Sequence, residues 1–190
     1  MFGIPVPPGV LNLVDGMPFE GPYVVKVCSS KILHKTDVGG VRLNISQAEL
    51  PAVVSEMKEK FPGENILVEK MAPKGIEVII GLIRDSTFGL AIMFGLGGIF
   101  TEVFKDVSFR VLPIDFKDAE EMVNEIKGSV ILKGFRGTKA DLDALYKLLL
   151  KVSDMAMALE DRIDQMDLNP VLVYEKGLSV VDAKLILRGK

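Results

Sequence analysis

The end of the chain carries the pattern that most restricts its fold, a predicted β-hairpin over residues 166–187. Two strand-like runs, 166–174 and 178–187, are separated only by Glu175-Lys176-Gly177. A short turn containing glycine joins antiparallel neighbours, so the chain is expected to contain antiparallel sheet. If this turn pairs the two runs, Asn169 and Asp182 lie side by side.

Strand-like runs outnumber helical ones along the rest of the chain. Strands are predicted at 23–28, 40–45, 65–71, 76–84 and 90–94, with one or two more within 100–114. Helical spacing of apolar residues is found at 50–61, at 119–126 and from about 138 to 159. Strands and helices do not alternate regularly, which argues against a doubly wound parallel sheet. We therefore predict an α+β fold with largely antiparallel sheets.

Three local signals mark where the helices should begin and end. Ser46 and Glu49 resemble a capping box before the first helix. Gly128 is a plausible stop for the second helix. Thr138 with Asp141 is predicted to open the third helix.

Length and composition set limits on the class of protein. The 190 residues suit one domain or two small lobes, and a hydrophobic content of 48 % is enough for a sizeable core. A net charge of −3 argues against a nucleic-acid partner. No apolar run reaches the roughly 18–20 residues that span a bilayer, so no membrane association is expected. Cys28 is the only cysteine, which excludes an intrachain disulfide and favours a reducing, cytoplasmic setting.

Two basic or nucleophilic features stand out in the first quarter of the chain. Lys26 lies inside the apolar run YVVKVC, where it is either a solvated edge-strand lysine or a charge aimed at a phosphate. His34 is the only histidine and precedes Gly39-Gly40. Its segment is either a plain polar loop or one that presents an imidazole as nucleophile, base or ligand.

Two further groups point to phosphate and metal chemistry. Gly95, Gly97 and Gly98, followed by Glu102 and Arg110, could cradle phosphate oxygens, although the run matches neither the Walker nor the Rossmann pattern. Asn169 and Asp182 offer oxygen ligands of the kind that suit Mg²⁺. The alternatives are a common glycine-rich turn and an Asn-Pro turn beside a solvated aspartate.

Several stretches occur together in one order. They are VVKV, HKTDVGGVRLN, ILVEKM with GIEVIIG, FGLGGIFTEVFKDVSFRVLPI, KGFRG, and MDLNPVLVYEKG with VVDAKLIL. In these stretches the chain resembles the ATP-grasp subunit or domain of the ADP-forming acyl-CoA synthetases, such as acetate–CoA ligase (ADP-forming). The resemblance implies an ATP-grasp fold, in which two α+β lobes close over a nucleotide. It also implies the reversible reaction acyl-CoA + ADP + phosphate ⇌ acid + CoA + ATP, with the phosphoryl group carried on histidine.

The same resemblance implies a role for individual residues. Lys26 would hold the nucleotide phosphates, the backbone of Glu69, Lys70 and Met71 would read adenine, and Glu77 would take a ribose hydroxyl. The residues implied on the phosphate side are Gly95, Gly97, Gly98, Glu102 and Arg110. Asn169 and Asp182 would hold Mg²⁺ with Asp167 in support, and His34 would be the local phosphate relay. A CoA-binding, alpha-type partner subunit would complete the enzyme as a hetero-oligomer.

The resemblance also implies a division of the chain. Residues 1–22 hold five of the ten prolines and are expected to form an extended lead-in, followed by a small lobe at 23–70 and a large lobe at 71–190. The family usually has helices around GIPVP that are missing here, which leaves open a degenerate ATP-grasp module that binds nucleotide or docks without turnover. A third possibility, an ATP-grasp ligase that joins a carboxylate to an amine, is disfavoured by HKTDVGGV.

Overall fold

The computed structural model describes residues 2–14, 16–32, 34–98, 106–137 and 139–189, and it divides the chain into two compact units. The smaller unit comprises Pro7–Pro73, and the larger comprises Met1–Val6 with Lys74–Lys190. The stretch predicted as a lead-in is thus shared between the units. The division falls after Pro73, close to the boundary predicted after residue 70.

The smaller unit is a four-stranded antiparallel sheet with one helix on one face. Its strands are β1 (Gly9–Leu11), β2 (Tyr23–Cys28), β3 (Val41–Ile45) and β4 (Asn65–Lys70), in the order β1-β4-β2-β3, and its helix is α1 (Leu50–Lys60). Tyr23, Val25 and Val27 point to the helix and are fully buried. Because side chains alternate along a strand, Lys26 lies on the other face of the sheet.

The capping box predicted at Ser46 forms in the turn that leads into α1. The Ser46 N–H donates to Glu49 Oε2 at 3.0 Å, and the Glu49 N–H donates to Ser46 Oγ at 3.4 Å. The helix itself begins at Leu50, with Pro51 in its first turn, where proline is tolerated. This pair therefore fixes the entry to the helix.

The larger unit is built on a six-stranded antiparallel sheet. Its strands are β5 (Ile76–Asp85), β6 (Gly89–Leu96), β7 (Val107–Val111), β8 (Ile163–Val173), β9 (Leu178–Val180) and β10 (Ala183–Leu187). The order is β10-β8-β5-β6-β7, with β9 also paired to β8. The helices described in this unit are α2 (Phe116–Glu125), α3 (Ser129–Leu132) and α4 (Leu142–Ala158), with a 3₁₀ turn at Phe135–Gly137. This arrangement confirms the predicted α+β class.

The two faces of the larger sheet differ in character. One face carries Ile80, Leu82, Ile92 and Phe94, all fully buried in a core shared with the helices. The register places Gly81 opposite Met93 on one side and opposite Asp167 on the other, so these three share the second face. We call this second face the carboxylate face.

Two helix boundaries differ from the predictions. Helix α2 ends at Glu125 and is followed by extended backbone at Ile126, so Gly128 does not stop it and instead precedes α3. Helix α4 is capped by Asp141, whose Oδ1 accepts from the Ala144 N–H at 3.0 Å. Thr138 lies outside the described residues. Among the helices described, none is long and apolar enough to cross a membrane.

Candidate active site

Lys26 is buried and paired with an acidic residue of the neighbouring strand. Its Nζ lies 2.5 Å from Glu69 Oε2, and both side chains are about nine-tenths buried. The β2–β4 register sets Lys26 opposite Leu67 and Glu69 opposite Val24, so Lys26 and Glu69 are diagonal neighbours on one face. The solvated edge-strand interpretation of Lys26 is therefore wrong, since β2 is an inner strand.

The predicted adenine segment follows Glu69 at the end of β4. The Lys70 N–H donates to Pro8 O at 2.9 Å, and the Met71 N–H donates to Pro22 O at 2.8 Å. Both N–H groups are therefore engaged within the smaller unit. A nucleotide base read through them would have to replace these bonds.

His34 is exposed on a compact turn between β2 and β3. The Gly40 N–H donates to Lys35 O at 2.6 Å and the Gly39 N–H donates to Thr36 O at 3.0 Å, which closes the turn. Gly39 has φ +62°, and a Cβ on Gly40 would lie 2.6 Å from Val27 Cγ1. The glycine pair thus shapes the turn rather than loosening it.

Asp167, Asn169 and Asp182 come together at one end of the carboxylate face. The Asn169 N–H donates to Asp182 O at 3.1 Å, which confirms that the hairpin places these two residues side by side. A side-chain hydrogen bond joins Asn169 to Asp167. A register shift between Val78 and Ile80 accompanies this part of β8.

The electrostatics of Asp167 reflect this crowding. Burial raises the pKa of the Asp167 carboxyl, and the negative charge of Asp182 raises it further. The positive charge of Lys184 and the hydrogen bond with Asn169 act in the opposite direction. A bound cation would stabilise the ionised carboxylates, which would offset both the cost of burying Asp167 and the repulsion between the two charges.

The donor set on this face fits magnesium better than a transition metal. Within the described ranges no group of three or more His, Cys, Asp or Glu side chains is placed to hold a metal ion. Two carboxylates and one amide oxygen match Mg²⁺, which keeps several waters and uses few protein ligands. A tetrahedral zinc site would need nitrogen or sulfur ligands instead.

A cleft of about 330 Å³ runs along the carboxylate face beside these residues. Asp167, Asn169, Lys184 and Gln165 line it together with apolar side chains, among them Ile79, Ile83, Met93 and Ile186. Lys184 and Gln165 were not singled out from the sequence. The alternation of side chains along β8 and β10 was the signal that could have identified them. It places Lys184 and Gln165 on the same face of the sheet as the two carboxylates.

The glycine-rich segment lies at the end of β6, next to Glu77. A Cβ on Gly95 would lie 2.8 Å from Val107 Cγ1, and one on Gly97 would lie 2.8 Å from Glu77 Cβ. The Gly97 N–H donates to Glu77 O at 2.7 Å, and Gly98 has φ +63°. These contacts require glycine for packing at positions 95 and 97. Glu102 lies outside the described residues.

Arg110 lies on the helix-covered face of the larger sheet, beside two glutamates of α2. It pairs in register with Ile92, which faces the helix-covered core, so Arg110 lies on the opposite face of the sheet from Asp167. Its guanidinium contacts Glu125 through both terminal nitrogens and lies 3.4 Å from Glu121. The Glu125 carboxylate raises the pKa of Arg110. The phosphate-side role of Arg110 stays a prediction, and the sequence carried no signal for the face of β7 on which the residue lies.

Comparison with known proteins identifies the fold and the family. A family model for the ATP-grasp domain matches residues 13–187. The structure of PH1788 from Pyrococcus horikoshii covers the whole chain with a TM-score of 0.90 and 43 % identity, over 87 % of its own length. The fold and the match together define the chain as an ATP-grasp domain.

Similar proteins show which family of ATP-grasp domains the chain belongs to. Subunit beta of acetate–CoA ligase (ADP-forming) II from Pyrococcus furiosus is 45 % identical, with 99 % of this chain and 87 % of that subunit covered. A dinucleotide forming acetyl-coenzyme A synthetase 1 of Candidatus Korarchaeum cryptofilum, solved with coenzyme A and Mg-AMPPCP, matches with 42 % identity and a TM-score of 0.84 over 98 % of this chain and 87 % of its own. The chain belongs to the ATP-grasp beta-subunit family of the ADP-forming acetate–CoA ligases. It spans about a quarter of the length of two further relatives, the acetate–CoA ligases I and II of Archaeoglobus fulgidus.

Proposed function

We propose that this chain is the nucleotide-handling subunit of an ADP-forming acyl-CoA synthetase. It exchanges phosphate between ADP/ATP and histidine during acyl-CoA + ADP + phosphate ⇌ acid + CoA + ATP. The beta subunits of the Pyrococcus furiosus ligases support this proposal, because the similarity extends over nearly all of this chain. The Korarchaeum synthetase supports it too, because it was solved with an Mg-bound ATP analogue.

The observation that carries the proposal is the cluster of Asp167, Asn169 and Asp182 beside the cleft. Asp167 and Asn169 lie on β8 and Asp182 lies just before β10, and the hairpin register brings all three to one face. Two carboxylates at close range raise the free energy of the folded protein unless a cation joins them. Such a cluster is expected of a site that binds Mg²⁺ with a nucleotide.

Asn169 and Asp182 would hold the magnesium ion, with Asp167 in support. When bound, Mg²⁺ neutralises charge on the phosphate oxygens and orients them. In the smaller unit, Lys26 contributes a positive charge toward the phosphates, and Glu69 holds its ammonium in place. Residues 69–71 would read the adenine in exchange for the present bonds of the Lys70 and Met71 N–H groups. Glu77 would take the ribose, and the glycines at 95, 97 and 98 would line the phosphate side.

His34 is the proposed relay. A neutral imidazole nitrogen attacks the γ-phosphorus, the P–N bond forms as the P–O bond to ADP breaks, and ADP leaves with that electron pair. The proton on the ring is released to solvent, which leaves N-phosphohistidine. Exposure of His34 at the entry to the turn between β2 and β3 favours the role, because the imidazole is accessible to a nucleotide.

The CoA and acid sites belong to an alpha-type partner subunit, so the working enzyme is a hetero-oligomer. In the described part of this chain every strand pairing is antiparallel. A βαβ unit for CoA would require parallel strands. We propose that the partner also selects the acyl group.

Calorimetry tests the nucleotide and metal part of this proposal. ADP is titrated into the wild-type chain and into Asp182→Ala, with and without Mg²⁺. Because changes around metal ligands alone weaken metal binding by 10- to 100-fold, Asp182→Ala should lose at least roughly tenfold in Mg²⁺-dependent affinity. Asp161→Ala, which removes an exposed carboxylate from the same unit, is the matched control. Equal Mg²⁺ dependence in Asp182→Ala and wild type would refute the metal assignment.

A further inference from the structure

Lys184 occupies a distinctive place on the carboxylate face. It lies on the edge strand β10, directly opposite Asp167 in the β8–β10 register. An edge-strand lysine usually extends its ammonium into water. This one is half-buried and lines the same cleft as Asp167 and Asn169.

The ammonium of Lys184 forms no direct ion pair with a carboxylate among the described residues. Among the ion pairs between described residues, none places a carboxylate oxygen within bonding distance of Lys184 Nζ. Asp167 nevertheless senses its charge. Lys184 is thus near the acidic pair but keeps its three N–H donors for another acceptor.

The cleft provides room for such an acceptor. Gly81 forms part of its floor and Ile79, Met93 and Ile186 line its sides. Apolar walls lower the local dielectric constant, so a charged hydrogen bond made there is stronger than one made in open solvent. The acceptor must be an anion that also tolerates two carboxylates, and a phosphate that shares a divalent cation with them meets that condition.

We propose that Lys184 binds a phosphate oxygen of the nucleotide, or of inorganic phosphate, in the cleft that it lines with Asp167 and Asn169. The proposal rests on the function proposed above and adds a residue to it. Asn169 and Asp182 would hold the Mg²⁺ that accompanies the phosphate, whereas Lys184 would donate a hydrogen bond to the phosphate itself. A compact ammonium suits this role because it acts as a point charge.

The test measures affinity by calorimetry for ADP, inorganic phosphate and adenosine on the intact chain. Lys184→Gln removes the charge at nearly constant length, Lys184→Arg keeps it, and Lys176→Gln makes the same change on an exposed turn of the same unit. A charged hydrogen bond is worth enough that Lys184→Gln should weaken ADP binding by roughly 10- to 100-fold. Adenosine affinity should not change, Lys184→Arg should retain most of the ADP affinity, and Lys176→Gln should match wild type.

Other outcomes would overturn the inference. Unchanged ADP affinity in Lys184→Gln, or tighter Mg²⁺ binding without any loss for ADP, would mean that Lys184 only balances the charge of Asp167 and Asp182. An equal loss for ADP and adenosine would mean a general disturbance of the unit. Failure of the wild-type chain to bind ADP would instead refute the proposed function, so the two failures are distinguishable.

Discussion

At the scale of single residues, the buried pair of Lys26 and Glu69 links stability to function. A lysine in the interior of a sheet costs free energy unless a counter-charge is in contact with it. Glu69 supplies that charge at 2.5 Å. The same contact keeps the ammonium in one position, which is what a phosphate-binding residue needs before its ligand arrives.

This pair should show strong energetic coupling. We expect Lys26→Met and Glu69→Gln each to destabilise the chain, and the double variant to be more stable than the two losses added together would suggest. The interaction energy should be about 1–3 kcal/mol, because the single variants leave one buried group without its partner. Urea denaturation of the four proteins measures it. Additive losses would show that the contact contributes nothing to folding.

The turn that carries His34 depends on Gly40. A methyl group there would lie 2.6 Å from Val27 Cγ1 and 2.9 Å from Lys35 O, and neither is the end of a flexible side chain. Gly40→Ala should therefore cost about 1–3 kcal/mol of unfolding free energy. Gly16→Ala, at a position with nothing within 4 Å, is the matched control in the same unit. Equal stability of both variants in thermal melts would contradict the close packing of the turn.

At the scale of elements, Asp141 connects helix α4 to the hairpin that bears Asn169 and Asp182. Its Oδ1 caps the helix through the Ala144 N–H, and its Oδ2 accepts from the Gly177 N–H at 2.7 Å in the β8–β9 turn. These bonds, that to Gly177 first, lower the pKa of the Asp141 carboxyl. One carboxylate therefore fixes the helix start and the tip of the hairpin together.

Asp141 should make stability depend on pH in a defined direction. Because its folded pKa lies below the unfolded value of about 3.9, the charge stabilises the chain above that pH, and the effect is lost as pH falls through the folded pKa. Asp141→Asn should thus lose stability at pH 7, by about 1 kcal/mol for a capping contact, and lose less at about pH 2, well below the unfolded pKa. Asp154→Asn, exposed on the same helix, is the control. A loss that is the same at both pH values would contradict this role.

Most helices and strands could be predicted from local sequence patterns. The face of the sheet that each residue occupies could not always be predicted in this way. The β-branched runs at 23–28 and 76–84 predicted β2 and β5 to within a residue, because such runs suit strands whatever their neighbours. The side on which Arg110 lies depends on how β7 pairs with β6, and no local signal sets that register. The partner of Lys26, Glu69, lies 43 residues away in the sequence. No local signal predicts this contact either, because it depends on how β2 pairs with β4.

In the candidate site, too, the sequence predicted local neighbours but not contacts between distant strands. The hairpin turn predicted the neighbouring positions of Asn169 and Asp182, because a short turn fixes register. The cleft beside them involves β5, β6, β8 and β10 at once. Lys184 and Gln165 acquire their place only when these four strands are assembled.

At the scale of the whole molecule, the chain lacks a described element suited to CoA. We expect that the chain alone, given ATP, Mg²⁺, CoA and acetate, forms no acetyl-CoA. Adding a CoA-binding subunit of the alpha type should restore the reaction. Chromatographic detection of acyl-CoA measures this, and CoA-dependent acetyl-CoA formation by the chain alone would show that the proposed division of labour is wrong.

The relay on His34 is the central claim and has the most direct test. The chain is incubated with γ-labelled ATP and Mg²⁺, with and without the partner subunit, and the protein-bound label is followed before and after brief acid treatment. We predict acid-labile label on the wild-type chain, no label on His34→Ala, and ADP affinity within about 1 kcal/mol of wild type in that variant, because a covalent role need not stabilise the ground state. Normal phosphoryl transfer to the partner by His34→Ala would contradict the relay.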